Sequence, residues 1–244
     1  MDYQLLSSIL AIILTIFMIA KNSLSFNPIR FHCPNYILNT YLYTFLSIAI
    51  LFTTILSIKK INITLEQLFT GSGRFLLLFL SILLVVGVIT VNPKYFFTKH
   101  LIWICYLVLM GTILYPIYDS YKEHFTHTAL TTAGIMVFLT SIAFLKPNLI
   151  NLSWSNTLLT LTISLLIANV SERLLYYNKV IDSRKYSKTL SYGAIILFSF
   201  WVLYDTKRVI VNAENCVNPD YINQSLDFVL DSLNIFTNLI NIKE

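Results

Sequence analysis

Charge is the scarcest commodity in this chain. Of its 244 residues only 12% are Asp, Glu, Lys or Arg, where a soluble domain carries about 25%. With 56% hydrophobic residues and a mean hydropathy of +0.70, that scarcity excludes an ordinary soluble domain. Cysteine is sparse too. Cys33, Cys105 and Cys216 are far apart and form no Cys-x-x-Cys pair, which argues against a redox motif, a zinc site and a disulfide framework. Cys105 falls mid-segment and reads as a small apolar packer. No Gly-x-Ser-x-Gly is present, so nucleophilic hydrolysis has no support. Tyr204-Asp205 would suit an intramembrane aspartyl protease, but the Gly-x-Gly-Asp such an enzyme needs is missing. No enzyme activity is therefore expected. His32, His100, His124 and His127 read as solvated loop residues, and His124 with His127 alone is too few for a metal. The net charge of +5 is scattered through short loops. Nucleic acid is not an expected partner, and anionic lipid headgroups are.

Long apolar runs supply what is there. Eight stand out: Leu5–Ala20, Ile37–Ile58, Phe75–Val91, Leu101–Tyr118, Thr128–Leu145, Leu149–Val170, Thr189–Asp205 and Ser225–Ile242. A membrane span needs about 20 residues, so the chain reads as an all-α polytopic membrane protein with one transmembrane domain over residues 1–244. The N-terminus opens with an acid, Asp2, and lacks the basic leader of a signal peptide, so the first run reads as a retained span and not a cleaved signal. Linkers carry the breakers: Asn27-Pro28, Cys33-Pro34, Gly71-Ser72-Gly73, Asn92-Pro93, Lys146-Pro147 and Asn218-Pro219. Gly111 allows close helix approach and Pro116 should kink or end its helix. The small residues of Thr128–Gly134 read as another packing face. If all eight runs span, the loops on one side hold nine Lys and Arg and those on the other seven, a margin too narrow to set orientation.

Against that background two aspartates are out of place. Asp205 closes one apolar run and Asp231 lies inside another. A carboxylate at mid-membrane costs about 2.5–3.5 kcal/mol on insertion scales. In the last run Asp227, Asp231, Asn234, Asn238 and Asn241 are spaced 4, 3, 4 and 3 apart, one stripe along one helical face. Such a helix can lie at the interface or stand inside a bundle. The stripe has no Lys or Arg before Lys243, which favours the interior. Asp205 has two candidate partners. Arg208, three residues on, could form a same-helix ion pair. Alternatively Asp205 meets Asp231 across two packed helices. Two carboxyls within hydrogen-bond reach share a proton and would act as a proton sensor. Deprotonated, they offer hard oxygen ligands for Ca²⁺.

Four stretches resemble the Bax inhibitor-1 (transmembrane Bax inhibitor motif) family. VLYDTKRVI, from Val202, is similar to that family's aromatic-Asp-Thr signature. Asp220-Tyr221-Ile222 through SLDFVLDSLNIF is similar to its last helix, in the Asp-x-x-x-Asp form. GTILYPI resembles its third helix, and HTALTTAGIMVFLTSIAF its fourth. The resemblance covers roughly Lys94 to Ile242. It implies a seven-helix bundle whose C-terminal helix is central and wrapped by two three-helix layers. Residues 37–244 would form that bundle, and residues 1–36 an extra N-terminal hydrophobic segment and loop. It also implies a pH-responsive Ca²⁺ leak gated by an aspartate pair matching Asp205 and Asp231. Bacterial members latch the first aspartate with an arginine. Here that neighbourhood offers only Lys94, Lys99 and His100, and a lysine could substitute only as a point charge. The loop Ser171–Lys188 is longer and more basic than the family pattern.

The resulting expectation is a pH-sensitive calcium leak channel, or channel-like regulator, that lowers endomembrane Ca²⁺ stores and suppresses apoptosis. Asp205, Asp231 and Asp227 would form the sensor and ion path. Arg208, Lys94 or Lys99 would be the counter-charge, and Asn234, Asn238 and Asn241 the rest of the stripe. Ca²⁺ is the permeant ion and H⁺ the regulator, with no resident cofactor. Two other classes stay open. One is a non-conducting scaffold for cell-death or Ca²⁺-handling membrane proteins, and the other is a cation/proton antiporter. The resemblance points to the endoplasmic reticulum or Golgi, with the plasma membrane as an alternative, and to a monomer or weak oligomer. The low-Gly, Ile/Asn/Tyr/Lys-rich composition suggests an AT-rich genome, such as a viral one.

Overall fold

The computed structural model describes residues 3–26, 29–61, 72–177 and 183–243. Each of the eight apolar runs is a helix: α1 Tyr3–Ser23, α2 Tyr36–Ile61, α3 Ser72–Thr90, α4 Phe96–Ser120, α5 Lys122–Leu145, α6 Ser155–Tyr177, α7 Ser183–Glu214 and α8 Tyr221–Lys243. Among the described residues five helical segments are long and apolar enough to cross a membrane. They are Tyr3–Ser23, Tyr36–Ile61, Phe96–Ser120, Lys122–Leu145 and Leu152–Glu172. The protein is an all-α polytopic membrane protein. In a bilayer every backbone polar group must be satisfied internally, which is why the apolar runs become helices. The hydroxyls inside them follow suit: Thr44, Thr53, Thr132, Ser141, Thr160 and Ser199 each bond a carbonyl one turn back.

The chain divides into two compact units. The first comprises Met1–Ser120 with Asn212–Leu226. In it α1 packs on α2, α2 on α4, and α3 on α4. Gly111 makes the α2–α4 contact possible. A Cβ there would stand 2.8 Å from the Thr54 Cβ and 3.0 Å from the Leu51 carbonyl oxygen. Pro116 does not end α4, which continues to Ser120. Between α1 and α2 the chain makes a small antiparallel hairpin, β1 Leu24–Phe26 and β2 Ile29–Phe31, with Leu24 opposite Phe31. Asn35, at φ 57°, turns the chain into α2, a left-handed conformation that Asn tolerates. Phe31 lies edge-on to Tyr43 and Tyr221 and beside Phe96 and His100, and Tyr43 also meets Trp103.

The second unit comprises Tyr121–Val211 with Asp227–Glu244. Its core sets Ala194, Phe198 and Val202 of α7 against Ile235 of α8, flanked by Ile135, Met136 and Leu139 of α5 and Leu165 of α6. A neighbouring cluster joins Leu158 to Leu197 and Tyr204. The Trp201 indole donates to the Thr162 hydroxyl at 2.9 Å, tying α7 to α6.

Several expectations need correction. Cys33 and Cys216 form a disulfide across a sequence separation of 183, a pairing the absence of close spacing concealed. Cys105 is exposed, so it faces outward and does not pack the interior. His100 is no solvated loop residue, because α4 begins before it and carries it into the aromatic cluster. Within the expected loop Ser171–Lys188, residues 171–177 and 183–188 are helical, and 178–182 lie outside the described residues. The run ending at Asp205 continues as helix for nine more residues, since Lys207 and Arg208 interrupt hydrophobicity but not helix geometry. In Thr128–Gly134 the buried residues are Thr128 and Thr132, while a Cβ on Gly134 would meet nothing within 4 Å. The Gly71-Ser72-Gly73 linker falls partly outside the described residues.

Candidate functional site: a buried carboxyl pair

The second unit brings the two out-of-place acids together. Asp205 is only 3% exposed and Asp231 only 5%. The two carboxyls face each other within interacting reach. An ionised carboxylate has acceptors alone, so a bond between two carboxyl groups requires one shared proton. Thr206 donates to the Val202 carbonyl and Ser232 to the Val229 carbonyl, each within its own helix. Two oxygens of the pair, Asp205 Oδ1 and Asp231 Oδ2, are buried without a hydrogen-bond partner.

Arg208 answers to two acids. Its Nη2 donates to Asp227 Oδ2 at 2.8 Å, and its Nη1 stands 3.6 Å from Asp205 Oδ1. The guanidinium is 39% exposed. Asp205 therefore has both of its anticipated partners, with Asp231 facing it and Arg208 in a looser ion pair. Sequence reasoning missed the tighter Arg208–Asp227 bond. The stripe itself supplied the signal, since Asp227 precedes Asp231 by one turn and so lies on the same face.

The remaining stripe residues serve their own helix. The Asn234 amide donates to the Leu230 carbonyl and the Asn238 amide to the Asn234 carbonyl, each at 2.8 Å. Both are half-buried, and Asn241 is exposed. The stripe is thus most deeply buried at Asp231 and opens on both sides of it, toward half-buried Asp227 and exposed Asn241.

Neither candidate lysine joins this group. Lys94 is exposed. Lys99 is fully buried in the first unit, where its Nζ donates to Asp220 Oδ2 at 2.6 Å and to the Val91 carbonyl at 2.8 Å. Asp220 also caps α8, its Oδ1 accepting from the Asn223 backbone N–H. That cap was legible as Asn218-Pro219-Asp220 before an apolar run. The Lys99 partnership was not. His100, adjacent to Lys99, lies 2.9 Å from the Tyr43 hydroxyl and 2.8 Å from the Phe96 carbonyl.

A sequence model of the family described as Inhibitor of apoptosis-promoting Bax1 matches residues 33–243. The chain belongs to this Bax inhibitor family. The match takes in all four residues of the acid–arginine group and leaves α1 outside. The chain is also 26% identical over 208 residues to the growth hormone-inducible transmembrane protein of Rattus norvegicus, covering 81% of this chain. It spans 59% of that relative's length.

Calcium takes six to eight oxygen ligands. The pair presents two carboxyl oxygens without a hydrogen bond, one of them 3.6 Å from Arg208, and among the described residues no group of three or more His, Cys, Asp or Glu could hold a metal ion.

Proposed function

We propose that this membrane protein acts in the control of cell death as its family's description implies, by a proton-gated cation leak from an endomembrane store. Ca²⁺ is the ion, and Asp205 and Asp231 form the gate. The observation that carries the reading is the burial of these two carboxyls against each other. Holding the shared proton, the pair ties α7 to α8. Losing it places two negative charges face to face, where they repel. The helices then separate and the carboxylates become ligands for a cation. Arg208 favours the charged state of Asp205 and is itself held by Asp227, so Asp227 tunes the gate. The reading involves no catalytic step.

Calcium efflux from proteoliposomes at a series of pH values tests this. The leak should rise as pH rises. Asp231→Asn keeps a donor for Asp205 at every pH, so the variant should leak little and lose the pH response. Asp205→Asn should behave likewise. An unchanged profile in both variants overturns the gate. Absence of flux in every condition overturns conduction and favours a non-conducting scaffold, and obligatory exchange for protons favours an antiporter.

A further inference from the structure

Independently of that reading, the first unit carries a redox site whose chemistry bears on membrane orientation. Cys33 lies in the turn between β2 and α2, and Cys216 in the turn between α7 and α8. Their Cα atoms are 5.8 Å apart, within the ordinary range for a bridge. What brings them together does not depend on the sulfur–sulfur bond. The Tyr221 hydroxyl donates to the carbonyl of His32, the residue before Cys33. The Asn39 amide donates to the carbonyl of Pro34, the residue after it, at 2.9 Å. Lys99 fixes Asp220, four residues beyond Cys216, to the Val91 carbonyl. The Asn212 amide donates to Gln224 Oε1 at 2.8 Å, closing the α7–α8 turn on itself. The Tyr221–His32 bond joins the two cysteine-bearing turns directly, and the other contacts hold each turn in place for pairing.

We infer that Cys33–Cys216 is a standing disulfide and that the end of the first unit bearing it faces an oxidising compartment. Forming the bridge releases two protons and two electrons. The electrons pass to a disulfide of a thiol-oxidising protein or small molecule on that side of the membrane. A reducing compartment would hold the pair as thiols. The inference fixes orientation where loop charge did not. α2 begins three residues after Cys33 and ends at Ile61, about 40 Å away at 1.5 Å per residue. Lys60, at its far end, therefore lies on the reducing side. Lys94 lies on the oxidising side, because its loop supplies the Val91 carbonyl that Lys99 binds together with Asp220.

The test uses the full chain in its native membrane. Free thiols are blocked with N-ethylmaleimide in SDS, the sample is reduced, and newly exposed thiols are counted by maleimide–polyethylene glycol gel shift. Two new adducts are expected in the wild type and in Cys105→Ser, and none in Cys33→Ser. No new adduct in the wild type overturns the disulfide. Orientation is read in sealed vesicles with a membrane-impermeant maleimide on Lys94→Cys and Lys60→Cys, each in the Cys105→Ser background. Both substitutions are at exposed positions and leave the bridge in place. Lys94→Cys should react from the oxidising side and Lys60→Cys from the other. The reverse pattern overturns the assignment even if the disulfide forms.

Discussion

Helices α6 and α8 are nearly equal in length, at 23 residues each, yet they are built on opposite plans. The apolar span containing α6 turns almost all of itself outward, with only 6% of its most apolar stretch buried. Leu159, Leu161, Ile163, Leu166, Ile167 and Val170 are all exposed. Helix α8 carries two acids and several amides, yet no residue from Tyr221 to Ile240 is exposed. In water the more apolar helix would be the enclosed one. In a bilayer the solvent is itself apolar, so leucine gains little from burial while a carboxyl gains a partner by it. Polarity, not hydrophobicity, therefore marks the interior here, and hydropathy alone passes over α7 and α8 as candidate spans.

Matched substitutions can break this comparison. The largest effect should come from the most deeply enclosed charge. Lys99→Met leaves Asp220 without its counter-ion and should cost about 3–5 kcal/mol, whereas exposed Lys94→Met should change stability by less than about 0.5 kcal/mol. Thermal melting in detergent compares the two. Next, Ile235→Ala in α8 should cost about 2–5 kcal/mol, since Ile235 is fully buried in the core of the second unit. Leu166→Ala on the outward face of α6 should stay within about 0.5 kcal/mol, and equal losses at the two sites would erase the distinction. A third pair probes helix approach. Gly111→Ala must displace Thr54 or the Leu51 carbonyl and should destabilise by about 1–3 kcal/mol. Gly134→Ala, which meets nothing, should stabilise by up to about 1 kcal/mol through helix propensity. The smallest effect should follow Asp227→Asn. Its partner Arg208 is 39% exposed, so solvent screening holds the loss to about 1 kcal/mol or less. The same variant should shift the pH at which the leak changes by freeing Arg208 for Asp205, which moves the transition to lower pH.

What the sequence revealed followed from periodicity and local chemistry. Eight apolar runs became eight helices, and the 4-3-4-3 spacing set Asp227 and Asp231 on one face. The Asp205–Asp231 pairing was foreseeable because both acids are costly in hydrocarbon and each needs a partner. What stayed hidden depended on contacts between distant residues. Lys99 and Asp220 are separated by 121 positions, and Cys33 and Cys216 by 183. No period or spacing links such pairs. The end of α7 was misjudged for a different reason: Asp205, Lys207 and Arg208 look like a membrane boundary, but charged side chains stop a hydrophobic run without stopping a helix. The hairpin at Leu24–Phe31 was missed because three-residue strands are too short to show alternation.

The buried carboxyl pair also has an electrical consequence. Any proton that binds Asp205 and Asp231 from one aqueous face must travel part of the way across the transmembrane voltage. A full crossing is worth about 2.3 kcal/mol per elementary charge for each 100 mV, and a partial crossing a proportionate share. Proton occupancy of the pair would then follow membrane potential as well as pH, and a change in polarisation at constant acidity would read out at the same two oxygens.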